Sequence, residues 1–269
     1  MRAVDLVLLD LDGTVIGPDG QVADEVWEAA GRARKAGVRL GVCTGRAATG
    51  VALKVARQLD ESAPHIFHNG ALMLGEGAEV QHCEGLGPEP LQALVRHARL
   101  HRLTLELYTA HAIFVDRVCE RCAHHAEVLG QEVQERDLLK VLAQESVVRA
   151  HWIVAPEAIE LACAQHPSGT EVGRASSPAL PESLFASVTR AGVSKGSAAL
   201  RAARLLGVAP ARVMAVGDSQ GDVPMLEVVG WPRVMADGDP ALQERYPVVS
   251  AVRAHGAAEA LRLAAGLPG

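Results

Sequence analysis

A short apolar run that ends in two closely spaced acids constrains the fold of this chain more than any other feature. Residues 6–9 are Leu-Val-Leu-Leu, and Asp10 and Asp12 follow at once. Four consecutive apolar residues between polar neighbours indicate a strand that is buried on both faces, as in a parallel sheet. The two acids would then stand where the strand ends.

Helices and further strands follow this run in a regular order. Residues 24–36 have the apolar spacing of a helix with Asp24 as its N-cap, and residues 38–43 form a second apolar run. Strand, helix and strand in this order predict a parallel crossover unit. The C-terminal part repeats the pattern, with a helix, a strand and a second helix predicted at 194–206, 212–218 and 223–230.

The segment between these two halves has a different character. Stretches rich in Pro and Gly bound it at 84–90 and 176–183, and within it residues 103–108 and 111–116 have the pattern of a β-hairpin. We therefore predict an α/β protein with a Rossmann-like, doubly wound parallel-sheet core and an inserted α+β cap domain. The core is predicted to comprise 1–83 and 187–269, and the insert 84–186.

Charge and cysteine content exclude several classes of function. The 269 residues carry a formal net charge of −6, which disfavours nucleic-acid binding because such binding needs a concentrated basic surface. No run of about 18 apolar residues occurs, and the N-terminus begins with a strand instead of a leader peptide, so we expect no membrane partner. An odd number of cysteines, five, does not form a disulfide framework. The sequence thus predicts a cytoplasmic protein.

Acidic and hydrogen-bonding side chains follow several of the predicted strands. In an open α/β sheet, ligands bind outside the carboxyl ends of the strands. The residues predicted to meet at this edge are Asp10, Asp12, Thr44, Asn69, Lys195, Asp218 and Asp222. Carboxylates held this close resist joint ionisation unless a cation lies between them, and oxygen ligands beside a substrate phosphate suit Mg²⁺. A carboxylate can also act as a nucleophile that forms an acyl phosphate.

Five ordered motifs resemble those of the haloacid dehalogenase superfamily. They are "DLDGT" at 10–14, "TGR" at 44–46, "HNGA" at 68–71, "GVSKG" at 192–196 and "GDSQGD" at 217–222. The long insert resembles the large, C2-type cap of the Cof-type sugar-phosphate phosphatases, and "GDSQGDVPML" is similar to the mannosyl-3-phosphoglycerate phosphatase branch. The resemblance implies a Mg²⁺-dependent phosphatase that acts on a small phosphorylated metabolite, a sugar phosphate or a phosphoglycerate conjugate.

The resemblance assigns roles to the acids. Asp10 would be the nucleophile, and Asp12 would be the general acid and base that also offers its backbone carbonyl to the metal. Asp218 would bind the metal through its side chain, with Asp222 nearby. The predicted metal site is therefore Asp10, Asp12, Asp218 and Asp222.

The resemblance also assigns the residues that hold the phosphate ester. Thr44 and Lys195 would bind the transferring phosphoryl group as part of the catalytic set, and Gly45, Arg46 and Asn69 would contact the substrate. One departure is present, because the family usually has Asn where this chain has Gly221. The neighbouring Gln220 is a candidate to replace that amide.

Several alternatives remain open at this level. Thr44 could be the N-cap of a helix, residues 69–70 could be a hairpin turn, and segment 119–125, with two cysteines and two histidines, could bind zinc or have a redox role. The same chemistry would also serve a phosphomutase of the phosphomannomutase type. Gly221 leaves open a catalytically weak protein that only binds phosphate esters.

Overall fold

The structure is a computed structural model, and it describes residues 3–176 and 180–267. Residues 177–179 of the second predicted hinge lie outside the described residues. The strands are β1 (Leu6–Leu9), β2 (Arg39–Val42), β3 (His65–Phe67), β4 (Leu72–Leu74), β5 (Val80–Cys83), β6 (Leu105–Tyr108), β7 (Ile113–Val115), β8 (Val133–Glu135), β9 (Arg149–Val154), β10 (Thr170–Ser176), β11 (Leu184–Arg190), β12 (Val213–Gly217), β13 (Trp231–Met235) and β14 (Val248–Val249).

The helices alternate with the strands along much of the chain. They are α1 (Asp24–Lys35), α2 (Gly50–Asp60), α3 (Pro88–His101), α4 (Glu120–Leu129), α5 (Leu138–Gln144), α6 (Ile159–Ala164), α7 (Lys195–Leu205), α8 (Val223–Leu226), α9 (Pro240–Gln243) and α10 (Gly256–Ala264). Two compact units result. The core unit comprises Met1–Arg46, Val51–Gln81 and Ser194–Gly269, and the inserted unit comprises Ala47–Gly50 and His82–Val193.

A five-stranded parallel sheet forms the centre of the core unit. Its strand order is β14-β13-β12-β1-β2, so the predicted first strand is central and pairs with β12 and β2. All four residues of β1 are buried. Leu6 and Leu8 pack with the alanines of α7, whereas α10 contacts β1 and β12 and also packs on α1. Helices thus cover the sheet, and the predicted doubly wound α/β fold is confirmed.

Local details differ from the sequence predictions at three points. The N-cap of α1 is Ala23, and Asp24 is the first helical residue, where its charge favours the positive end of the helix dipole. The predicted helix 223–230 ends at Leu226. Thr44 is no N-cap, because the next helix begins only at Gly50. The short turn 44–49 thereby leaves Thr44 beside the end of β2.

The inserted unit is built on a six-stranded mixed sheet with the order β10-β11-β9-β6-β7-β8. The predicted hairpin is confirmed, because β6 and β7 pair antiparallel with Glu106 opposite Val115. One face of this sheet presents Leu105, Leu107 and Trp152 to a core that includes apolar residues of α3, α5 and α6. Within the described residues, no helix has the length and apolar character that a membrane crossing requires.

Candidate active site

A buried lysine joins two carboxylates at the carboxyl ends of the central strands. Asp10 directly follows β1, and the loop of Asp218 and Asp222 directly follows the neighbouring β12. Lys195, the first residue of α7, donates hydrogen bonds of 2.6 Å to Asp10 Oδ1 and of 2.6 Å to Asp222 Oδ1. All three of these charged side chains are buried. Parallel pairing of β1 and β12 is what brings Asp10 close to Asp218 and Asp222, although they are far apart in the sequence.

Asp222 organises the loop after β12. Its second carboxylate oxygen, Oδ2, accepts hydrogen bonds from the backbone N–H of Asp218 at 3.0 Å and of Ser219 at 3.1 Å, and from Ser219 Oγ at 3.2 Å. With Lys195 on Oδ1, both oxygens of this fully buried carboxylate have protein partners. Asp222 therefore holds both Lys195 and the loop that carries Asp218.

Burial and repulsion between the acids shift the proton equilibria of this cluster. Burial raises the pKa of Asp10, Lys195 opposes that shift, and Asp222 adds to it. The pKa of Asp218 rises to about 6, again because of burial and then of Asp222. Burial disfavours the Lys195 ammonium, but Asp10 and Asp222 outweigh this and raise its pKa. The cluster thus holds more negative charge than one lysine neutralises, which favours the binding of a cation.

Ligand atoms of three carboxylates converge. Oxygen atoms of Asp10, Asp218 and Asp222 all lie within 4.8 Å of one another. Asp218 accepts a hydrogen bond of 3.2 Å from Thr14 Oγ1. Gly13 lies beside this carboxylate with a φ of +76°, and a Cβ there would stand only 2.6 Å from Asp218 Oδ2. Glycine is thus required both by the turn and by the space that Asp218 occupies.

The carboxylate of Asp12 lies apart from this trio. Arg46 binds it with two parallel hydrogen bonds, Nε to Oδ2 at 2.7 Å and Nη2 to Oδ1 at 2.5 Å. The side chains are 39% exposed for Arg46 and 57% exposed for Asp12, so this ion pair is in contact with solvent. Of the four residues predicted to bind metal, Asp12 therefore has only its main chain left for that role.

The remaining predicted residues come from the ends of β2 and β3. Thr44 is buried, and its hydroxyl accepts a hydrogen bond of 3.2 Å from the backbone N–H of Arg46. The backbone N–H of Asn69 donates to Thr44 O at 3.0 Å. Asn69 also lies against Gly45, where a Cβ would stand 2.8 Å from Asn69 Oδ1. Residues 69–70 connect the antiparallel strands β3 and β4, so the predicted hairpin turn is confirmed.

Gly221, where the family usually has Asn, lies in a loop whose neighbouring side chains are already hydrogen-bonded. The Gln220 amide donates a hydrogen bond of 2.6 Å to Asp239 Oδ2, so this amide is committed to a neighbouring loop. The backbone N–H of Asp239 in turn donates to Asp218 O at 2.7 Å. A Cβ at Gly221 would meet only Ser219 Oγ, at 3.5 Å. There is space for a side chain at Gly221.

The interpretation of segment 119–125 as a zinc site is wrong. Among the residues that the structure describes, the acidic trio is the group whose ligand atoms converge as a metal requires. His125 Nδ1 instead contacts the buried Glu106 carboxylate at 3.1 and 3.2 Å, and His124 is exposed. The two cysteines therefore lack histidine ligands.

Thr14 and Ser219 are functional candidates that the sequence did not single out. Both bind side chains of the acidic trio, Thr14 on Asp218 and Ser219 on Asp222. Both lie inside motifs quoted above, "DLDGT" and "GDSQGD". Their position in these motifs was the available signal, since a hydroxyl beside a carboxylate is a ready hydrogen-bond donor.

The chain is similar to known proteins over nearly its whole length. The sequence profile of the haloacid dehalogenase-like hydrolases matches residues 7–261. A Bacillus subtilis protein named "Putative phosphatase YxeH" is 27% identical over 89% of this chain and 90% of its own length. A Streptococcus pyogenes protein named "Putative phosphatase M6_Spy0533" is 27% identical over 90% of this chain and 91% of its own length.

Solved structures share the fold. The structure of TM0651 from Thermotoga maritima superimposes with a TM-score of 0.85 at 16% identity and covers 97% of each chain. A second structure, described as the subclass IIB sugar phosphatase BT4131, has a TM-score of 0.76 at 20% identity and covers 97% of this chain and 98% of its own. The chain therefore belongs to the haloacid dehalogenase-like hydrolase family, as a Cof-type phosphatase.

Proposed function

We propose that this enzyme hydrolyses a small phosphorylated metabolite, a sugar phosphate or a phosphoglycerate conjugate, through an aspartyl-phosphate on Asp10. The observation that carries the proposal is the buried Lys195, which bridges Asp10 and Asp222 beside Asp218. A cation within hydrogen-bond distance of the predicted nucleophile is suited to hold the oxygens of a phosphoryl group. The likeness to a sugar phosphatase supports the substrate class.

The acidic trio fits a magnesium ion. Its oxygens converge, and the pKa values of Asp10 and Asp218 are raised by burial and by repulsion from Asp222, which a divalent cation would relieve. We propose that the side chains of Asp10 and Asp218, with the main-chain carbonyl of Asp12, bind Mg²⁺, and that Asp222 positions them. When bound, Mg²⁺ would neutralise the negative charge that develops on the phosphoryl oxygens.

The proposed reaction has two displacements. In the first, a carboxylate oxygen of Asp10 forms a bond to phosphorus while the bond from phosphorus to the ester oxygen breaks, and Asp12 gives its proton to that leaving oxygen. In the second, Asp12 takes a proton from water, the water oxygen bonds to phosphorus, and the bond to Asp10 breaks. Inorganic phosphate leaves, and both acids return to their starting state. Lys195 and Thr44 bind the phosphoryl oxygens throughout.

The ion pair of Asp12 with Arg46 has a place in this scheme. While Arg46 holds both oxygens of Asp12, it competes with the proton that Asp12 must carry in the first displacement. We propose that an anionic substrate draws Arg46 away and frees Asp12. The pair is solvent-exposed, so opening it costs only about 0–1 kcal/mol. Arg46 would then contact the substrate, as the motif implies.

The inserted unit is proposed to select the substrate. The core unit would carry the chemistry, and the inserted unit would act as the cap that recognises the organic part of the substrate and excludes water. We also propose that the enzyme is cytoplasmic, since all five cysteines are free thiols.

Phosphate release from a panel of sugar phosphates, phosphoglycolate and p-nitrophenyl phosphate tests the proposal, with Mg²⁺ or with a chelator. The expected result is metal-dependent release that Asp10→Asn abolishes and that Asp19→Asn, a change at an exposed acid, leaves intact. A fully active Asp10→Asn variant would contradict the mechanism. Interconversion of hexose 1- and 6-phosphates that needs a bisphosphate would indicate a mutase instead, and binding without turnover would indicate a binding protein.

A further inference from the structure

Two cysteines of the inserted unit face each other at the start of a helix. Cys119 is the N-cap of α4, and Cys122 is three residues further on, in its first turn. The backbone N–H of Cys122 donates to the Cys119 thiol, and the two Sγ atoms are 3.6 Å apart. Closing that distance to a disulfide bond of about 2.0 Å requires a movement within the reach of side-chain rotation.

The two thiols differ in exposure and in acidity. Cys119 is partly exposed and Cys122 is buried. Burial opposes ionisation of Cys119, but hydrogen bonds from Thr104 and from the backbone and side chain of Cys122 outweigh it and lower the pKa of Cys119. Burial raises the pKa of Cys122 to about 11. An accessible, more acidic thiol beside a buried one is the arrangement that divides attack and resolution between two cysteines.

A cavity gives access to Cys119. Its volume is about 540 Å³, and Thr104, Arg102 and Arg117 line it together with Cys119. Arg99 also lines it, but Arg99 is neutralised by Asp116 and Asp137. In contrast, Arg102 and Arg117 are exposed and form no ion pair within residues 3–176 and 180–267. Two uncompensated cations next to a thiol favour an anionic reactant.

We propose that Cys119 and Cys122 form a thiol–disulfide exchange site in the inserted unit, and that its reactant is a small anionic disulfide bound in the cavity beside Arg102 and Arg117. The site lies outside the acidic cluster and goes beyond the proposed phosphatase reaction. It uses a pair of side chains that this reaction does not need.

The proposed exchange has two steps, formation of a mixed disulfide and its resolution by the second cysteine. The Cys119 thiolate attacks one sulfur of the disulfide, a mixed disulfide forms, and the other half leaves as a thiolate. Cys122 loses its proton to solvent and attacks Sγ of Cys119, which releases the second half as a thiolate. The reactant disulfide is reduced by two electrons, and the cysteine pair is oxidised to an intramolecular disulfide.

The test uses the full chain with Cys83→Ser and Cys163→Ser, which leaves the pair and the buried Cys43. The probe is 5,5′-dithiobis(2-nitrobenzoate), an anionic aromatic disulfide. The expected result is release of two aryl thiolates per chain, no added aryl group in the intact mass, and a peptide linking Cys119 to Cys122. With Cys122→Ser, one aryl thiolate is released and the aryl mass stays on Cys119. A persistent mixed disulfide without Cys122→Ser would overturn the proposal.

Two further variants test the roles within the site. Cys119→Ser is expected to slow the reaction at least tenfold, because the two remaining thiols, Cys43 and Cys122, are buried; an unchanged rate would refute Cys119 as the attacking group. Arg102→Gln with Arg117→Gln is expected to slow the anionic probe roughly tenfold and the neutral probe 4,4′-dithiodipyridine far less. If the two replacements changed the rates of both probes by the same factor, or changed neither rate, the anionic reactant would be refuted.

Discussion

A single methyl group at Gly13 should disable the acidic cluster, and Gly20 provides a matched control. Both glycines have a φ of +76°, so alanine at either position incurs the same left-handed strain of about 1–2 kcal/mol. Their surroundings differ. A Cβ at Gly20 meets nothing within 4 Å, whereas a Cβ at Gly13 stands 2.6 Å from Asp218 Oδ2 and 2.9 Å from its Cγ.

The difference between the two variants therefore isolates the collision with Asp218. Because a Cβ atom does not come closer than 3.0 Å to atoms outside its own stretch of chain, the Asp218 carboxylate has to move by roughly half an ångström. A displacement of about 1 Å in a catalytic site lowers the rate by about 10²-fold, so we expect Gly13→Ala to lower kcat/KM by about 10- to 100-fold.

The assay is Mg²⁺-dependent phosphate release, combined with urea unfolding of both variants. We expect Gly20→Ala to stay within about threefold of the parent enzyme in kcat/KM and to lose about 1–2 kcal/mol of stability. Gly13→Ala should lose as much stability or more, together with activity and magnesium affinity. If both variants kept the same activity, the reasoning that Asp218 must stay in place would be refuted.

Three further predictions concern buried charge and the loop after β12. Lys195→Met leaves the buried carboxylates of Asp10 and Asp222 without their cation, so the free energy of unfolding at pH 8 should fall by about 3–5 kcal/mol. Part of this loss should be recovered at pH 5, because burial raises the pKa of Asp10 and the acid then takes up a proton; parent-like stability in urea at pH 8 would contradict this. Burial lowers the pKa of His65 to about 4. Between pH 6.5 and about 4 the unfolded chain therefore binds a proton that the folded chain does not bind, so the free energy of unfolding should fall by up to about 3 kcal/mol as the pH drops. In His65→Leu the unfolding free energy should depend less on pH over this range, and an unchanged slope would rule His65 out as its source. Position 221 has space for a side chain and a φ outside the left-handed region, so the melting temperature of Gly221→Asn should match that of the parent enzyme and its phosphate release should be no slower. A loss of more than about 1 kcal/mol in the free energy of unfolding would show that the glycine is required.

The sequence alone determined the architecture of the core, because burial on both faces leaves a direct mark in the residues. The run of residues 6–9 predicted a central parallel strand, and β1 is central with all its residues buried. The order of the motifs predicted the family, which the match over residues 7–261 confirms. Local patterning of this kind persists in the sequence because each residue reports its own environment.

Only the tertiary structure decided how the charged residues pair. The sequence placed Asp10 and Asp12 two positions apart and suggested a shared site, yet Asp10 binds Lys195 and Asp12 binds Arg46. The physical reason is that strand pairing and the turn at Gly13 set these distances, and neither is local in sequence. The surroundings of Cys119 and Cys122 were also decided by the tertiary structure. Their spacing in the sequence allowed a metal site, but the imidazole of His125 contacts Glu106 instead.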